Sequence, residues 1–134
     1  MADKKLMIDT TILIDYFRKT DKTKARLVDH FRNYDRLFIS SITEFEVLNG
    51  ATESHKQFWD ALLSRLTVLT FDSKAARQAA DIVARLKPKR KTIDKPDLFI
   101  AATAVANKLN LDTLNIKHFI HIEALTLLMS KSSR

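Results

Sequence analysis

Five short apolar runs punctuate the chain, at Leu6 to Ile8, Leu37 to Ile39, Val68 to Phe71, Leu111 to Leu114 and Leu125 to Leu128. Each is the length of a buried strand, and the stretches between them carry apolar residues at helical spacing. Ile12, Ile14, Tyr16 and Phe17 open a first helix from Thr11, and Ala25, Val28 and Phe31 mark a second. Ile42, Phe45 and Leu48 mark a third, and Phe58, Leu62 and Leu66 a fourth. Ala75, Ala79, Ile82, Val83 and Leu86 define a fifth, ending before Pro88. Pro96 suits the first turn of a sixth, which runs through Ile100, Ala104 and Leu109. Strands alternating with helices predict an α/β fold, a three-layer α/β/α sandwich around a parallel sheet of about five short strands. Trp59 and most of the eight Phe sit at core spacing rather than as stacking platforms for bases.

The 134 residues suffice for one domain, read here as 1–134, with no repeat or linker. The absence of cysteine excludes disulfides, zinc–thiolate sites and thiol nucleophiles. It suits a reducing cytoplasm. The start, Met1 to Lys5, lacks the apolar core of a signal peptide, and the longest nearly apolar run, Leu98 to Ala106, is about half of the ~20 residues a membrane span needs. The expectation is a cytoplasmic protein with no membrane association. A single glycine, Gly50, argues against Gly-rich phosphate loops and dinucleotide fingerprints, which need several. Chemistry therefore has to come from side chains or from a metal.

Three acids stand in apolar company. Asp9 follows the first strand, at the rim where open α/β sheets bind ligands. It also suits an N-cap, and the hydroxyls of Thr10 and Thr11 are placed to orient its carboxylate. In the segment Ser41 to Gly50, Ser41 and Glu44 match a capping box, which explains Glu44. Glu46, about 200° round the helix, is not explained that way, and Gly50 on its side leaves room for a ligand or another backbone. A rival register pairs Thr43 with Glu46. Asp97 follows Pro96, with Asp94 the better cap, and enters a helix of apolar and small residues. Three gathered carboxylates would repel one another unless a hard cation such as Mg2+ or Mn2+ neutralised them, and such an ion activates water against a phosphodiester. Asn115 is a candidate neutral ligand or water-holder, and His118 a packed or surface histidine.

The net charge of +7, from 23 basic and 16 acidic residues, fits a polyanionic partner or a solvated surface. The run Lys87 to Lys91 places four cations shortly before Asp97, with Lys89, Arg90 and Lys91 the candidate contacts to a phosphate backbone.

The segments Asp9 to Asp15, Ser41 to Gly50, Asp97 to Ala104 and Thr113 to Phe119 together resemble the four signature segments of PIN domains, and those of VapC-type toxins in particular. The resemblance spans nearly the whole chain, in order. It implies a Mg2+- or Mn2+-dependent endoribonuclease acting on tRNA or ribosomal RNA, restrained by a VapB-like antitoxin and forming a homodimer. Asp9, Glu46 and Asp97 fall on the family's catalytic, metal-binding acids, and Thr11 on a position that supports the first. The chain departs at the fourth acidic position, where Asn115 and His118 stand in places that many relatives give to a carboxylate. A catalytically inactive PIN-fold RNA-binding or scaffold protein is the alternative. A phosphotransfer enzyme using Asp9 as nucleophile ranks below both, because Thr11 stands where the haloacid dehalogenase pattern wants a second Asp.

Overall fold

The computed structural model describes residues 3–129, so the ends of the expected 1–134 domain lie outside the described residues. Its elements alternate as the hydrophobic pattern requires. β1 (Lys5–Ile8) leads into α1 (Thr10–Arg18) and α2 (Arg26–Asn33). β2 (Arg36–Ser40) is followed by α3 (Ser41–Gly50) and α4 (Lys56–Leu63), and β3 (Thr67–Leu69) by α5 (Ser73–Leu86) and α6 (Lys95–Ala106). β4 (Leu111–Asp112) and the single turn of α7 (Ile116–Phe119) complete the series.

All pairings in the sheet are parallel, in the order β3-β2-β1-β4. The two-residue period of a strand sorts its side chains between the faces. Leu6, Ile8, Leu37 and Ile39 point to one side, where α1, α3 and α4 supply Ile12, Leu13, Val47, Trp59 and Leu62. Met7 and Phe38 point to the other, against Ala79, Ile82 and Leu86 of α5 and Ile100, Ala101 and Ala104 of α6. The sheet is thus covered on both faces, the expected three-layer sandwich. Trp59 is buried and stacks on Phe17, which bears out its assignment to the core.

Among the described residues the sheet has four strands rather than the expected five or so. The segment from Leu125 forms only an isolated bridge, in which the amide of Leu111 donates to Thr126 and that of Leu128 donates to Leu111. A run of alternating apolar residues satisfies the strand pattern, but pairing through one residue does not extend to a ladder.

The capping of α3 also differs. Ser40, not Ser41, is the N-cap, its hydroxyl accepting from the Ile42 amide at 3.0 Å. Ser41 becomes the first helical residue and accepts from the Phe71 amide, so neither it nor Thr43 forms the capping box that the spacing predicts. Two adjacent serines offer the same cap chemistry; β2, continuing through Ser40, selects the first.

Strand order decides where a site can form. The chain moves outward from β1 to β2 to β3, then returns to place β4 on the other side of β1. The connections after β1 and β4 therefore diverge at the carboxyl ends of these two neighbours, leaving the crevice in which open parallel sheets bind ligands. Asp9 follows β1 and Thr113 follows β4, directly at that crevice.

Candidate active site

Asp9 is 2% exposed and is held from two sides. Its Oδ1 accepts from the amide of Thr11 at 3.0 Å, which makes it the N-cap of α1, and from the Thr11 hydroxyl. Its Oδ2 accepts from the Thr113 hydroxyl at 2.6 Å. Both hydroxyls are oriented in turn. The amide of Leu114 donates to Thr11 Oγ1 and that of Asn115 to Thr113 Oγ1, each at 2.9 Å. With an N–H on its lone pair, each hydroxyl directs its proton at Asp9. Burial pushes the Asp9 carboxyl above its ordinary pKa, and the hydrogen bonds from Thr11, Thr113 and the backbone offset part of that rise. Thr11 thus donates to Asp9 through both its amide and its hydroxyl. Thr10 faces away and donates to Glu46 Oε1 at 2.6 Å, with Thr43 Oγ1 3.1 Å from the same hydroxyl. Glu46 is thereby joined to the start of α1 through one side chain.

Asp97, in the first turn of α6, has its Oδ2 2.9 Å from Nδ1 of His118. His118 is the expected surface histidine, and it is also the hydrogen-bond partner of the third acid. Asn115 is exposed at the N-cap of α7 and lines a hollow with Thr10, Thr11 and Ile14. Space around Gly50 is open, with nothing within 4 Å of an added Cβ, so close approach does not require a glycine there.

Asp9 and Glu46 are linked through Thr10, whereas Asp97 stands at the start of α6 with His118 as its partner. Among the described residues, no three His, Cys, Asp or Glu side chains stand close enough to hold a metal ion as they lie. In donor chemistry the set nevertheless suits a hard divalent cation. It is all oxygen and anionic, and its most buried member is an acid whose charge no cationic side chain among the described residues balances at hydrogen-bond distance. Asp9, Glu46 and Asp97 would hold such an ion, with Thr11 and Thr113 keeping the first carboxylate in place.

Two groups of residues escaped the sequence reading. Thr113 is one. The other is Asp112, fully buried in β4, whose two carboxylate oxygens meet Arg26 and His30 of α2 at 2.6 Å each. A lone acid inside a strand was the available signal, but its partners lie 86 and 82 residues away. In the basic run, Lys89 is tied to Glu123 and to the His121 carbonyl, so its charge is partly satisfied within the chain. Arg90 takes a left-handed backbone, φ 55°.

A parallel sheet covered on both faces, with a buried acid at its switch point, belongs to the open α/β class that binds ligands at the carboxyl ends of the strands. The family model described as PIN domain matches residues 6–124. The chain is 34% identical to "Ribonuclease VapC" of Rickettsia bellii over 131 residues, covering 92% of this chain and 94% of that one. It is 30% identical to "Ribonuclease VapC19" of Mycobacterium tuberculosis over 113 residues, covering 84% and 90%. Among solved structures, the DNA-bound VapBC of Salmonella typhimurium superposes with a TM-score of 0.83 at 29% identity, covering 95% of this chain and 98% of that one. VapBC2 of Rickettsia felis, bound to a DNA fragment from its promoter, gives 0.78 at 27% identity, covering 92% and 97%. The chain belongs to the PIN-domain family, in the branch of the VapC ribonucleases.

Proposed function

We propose that this chain is a Mg2+- or Mn2+-dependent endoribonuclease, the toxin of a type II toxin–antitoxin pair, with Asp9, Glu46 and Asp97 as its catalytic, metal-holding acids. The observation that carries the reading is Asp9. It is a carboxylate stripped of water at the switch point of a parallel sheet, aimed by two hydroxyls that are themselves held by backbone amides. Such an arrangement costs stability through burial and gains a function if a cation is to be bound. A bound divalent ion would supply an activated water and stabilise charge on the phosphate and the leaving oxygen. The chain's own part is to hold Asp9 rigid through Thr11 and Thr113, Glu46 through Thr10, and Asp97 through His118.

The partner reading rests on surface chemistry. Beside Glu46 runs a groove of about 400 Å3 lined by Ile14, Val47 and Trp59, with Arg18 at its edge. It suits an apolar segment of a VapB-like antitoxin whose Arg or Lys reaches towards the three acids. Phe45, 62% exposed on α3, and Leu48 beside it offer a surface for a homodimer. Among the described residues no helix is long and apolar enough to cross a membrane, and a cytoplasmic setting is proposed with the rest. RNA of the tRNA or ribosomal class is the proposed substrate.

The test is cleavage of single-stranded and transfer RNA by the purified chain with Mg2+, with Mn2+ and with EDTA. Cleavage that needs the ion and is lost in Asp97→Asn supports the reading. The separation of the acids favours a second reading, an inactive PIN-fold protein that binds RNA. RNA binding without cleavage in any metal would select it.

A further inference from the structure

Asp97 has a second neighbourhood. On the side of α6 facing α5 and α7 it lines a recess of about 200 Å3, floored by Leu86, Ile93 and Ile122. Thr92, Asp94, Lys117, His118 and His121 also line it. The volume is below the ~300 Å3 at which pockets for drug-sized ligands begin, so it holds one flat ring system rather than a whole nucleotide. An apolar floor with imidazole walls is the kind of surface on which an unstacked base of single-stranded RNA is desolvated and stacked.

Asp94, Asp97 and Lys117 put both signs of charge in the lining, and further cations stand nearby. Lys87, Arg90 and Lys91 belong to the exposed loop joining Leu86 to Thr92, both of them lining residues, and Lys117 stands on the α7 side. Cations at the rim fit phosphates on either side of an inserted base. One wall is selective. Asp94 is the N-cap residue of α6, and its exposed side chain makes no capping bond, which leaves both carboxylate oxygens open to a ligand. A carboxylate accepts and does not donate, so it pairs with the exocyclic amine of a base. Guanine presents its amine beside N1–H and adenine and cytosine present one amine each, whereas uracil offers only N3–H between two carbonyl oxygens that repel a carboxylate.

We propose that this recess takes one unstacked, amino-bearing base of the RNA next to the bond that is cut, and so sets the sequence at which cleavage occurs. The inference rests on the ribonuclease reading and adds to it a specificity site on Thr92, Asp94 and His121. Because the recess is lined by Asp97, a base seated there lies beside one of the proposed metal-holding acids.

Two measurements test it. In the first, a randomised single-stranded RNA pool is cut and the product ends are sequenced. Wild type is expected to disfavour uracil at one position flanking the cut by at least about fivefold, the lower end of what one paired base edge discriminates. Asp94→Asn, which exchanges an acceptor for an amide, should redistribute that preference, and Ile93→Trp, which fills the recess, should abolish it. In the second, an oligoribonucleotide carrying one 2-aminopurine is added in EDTA. Its fluorescence should be quenched by wild type and by Asp94→Asn to different extents, and not by Ile93→Trp of unchanged melting temperature. Cleavage without a flanking preference, or with one that survives both substitutions, overturns the recess and leaves the ribonuclease reading intact. No cleavage in any metal overturns the ribonuclease reading, and the fluorescence then decides alone whether the recess binds a base.

Discussion

The hydroxyl of Thr113 donates to Oδ2 of Asp9 at 2.6 Å, joining residues 104 positions apart across the ends of β4 and β1. This bond spans the switch point of the sheet, so the sheet's own registration aims the first acid. Thr113→Val keeps the side-chain shape and deletes the donor. The expected cost is about 1–3 kcal/mol, because a buried carboxylate oxygen loses its partner. Divalent-metal affinity should fall roughly 10-fold or more, as for other groups that orient a ligand. Urea denaturation and calorimetric Mn2+ titration check the two halves separately.

Asp9 itself should make stability depend on pH. Burial raises its pKa, so the folded chain holds the proton more tightly than the unfolded chain does. Stability from this group is fully present below the ordinary value of ~3.9 and is lost as pH rises through the raised folded value. At neutral pH without divalent ion, Asp9→Asn is expected to be more stable than wild type, and the difference should vanish in acid. Added Mn2+ should stabilise wild type and not the variant. Thermal melts across a pH series would show it.

Glu44 and Glu46 are expected to separate cleanly. With Ser40 as the cap of α3, no capping box rests on Glu44, so Glu44→Gln should change stability by no more than about 0.5 kcal/mol and leave cleavage near wild type. Glu46→Gln should reduce metal-dependent cleavage by orders of magnitude. An RNA gel on the two variants, beside a denaturation curve for each, decides.

Asp112 is a structural counterpart to the acids of the site. Asp112→Ala leaves His30 buried without its partner and frees Arg26 from its ion pair, and breaking such a pair costs about 3–5 kcal/mol. The loss should appear in chemical denaturation. Asp112→Asn, which keeps one acceptor oxygen and the side-chain volume, should lose less.

The basic run should not act evenly. Lys89 is held by Glu123, whose own carboxyl is lowered by that hydrogen bond and charge. Arg90→Ala with Lys91→Ala is therefore expected to weaken RNA binding more than Lys89→Ala. Each cation–phosphate pairing removed should flatten the slope of log affinity against log salt by about 1. Binding isotherms over a salt series measure this.

The alternation of strand and helix was legible in the chain because it is local. Period-2 runs such as Leu6 to Ile8 and period-3.6 stretches such as Ala75 to Leu86 each announce their own geometry. The candidate acids were legible for a related reason: an acid in apolar surroundings carries its anomaly in its neighbours, and Asp9, Glu46 and Asp97 all do. Which serine caps α3 was not, since Ser40 and Ser41 are chemically alike and only the length of β2 separates them. Nor could local pattern show that Leu125 to Leu128 would pair through a single bridge, because a ladder is a property of two segments. The pairings that give each acid its character join distant stretches: Thr113 on Asp9, Thr10 on Glu46, His118 on Asp97, and Arg26 and His30 on Asp112. Sequence alone determined which residue types were available and on which elements they ride. The strand order β3-β2-β1-β4 decided which of them meet, because a hydrogen bond depends on distances of about 3 Å that only the packed sheet sets.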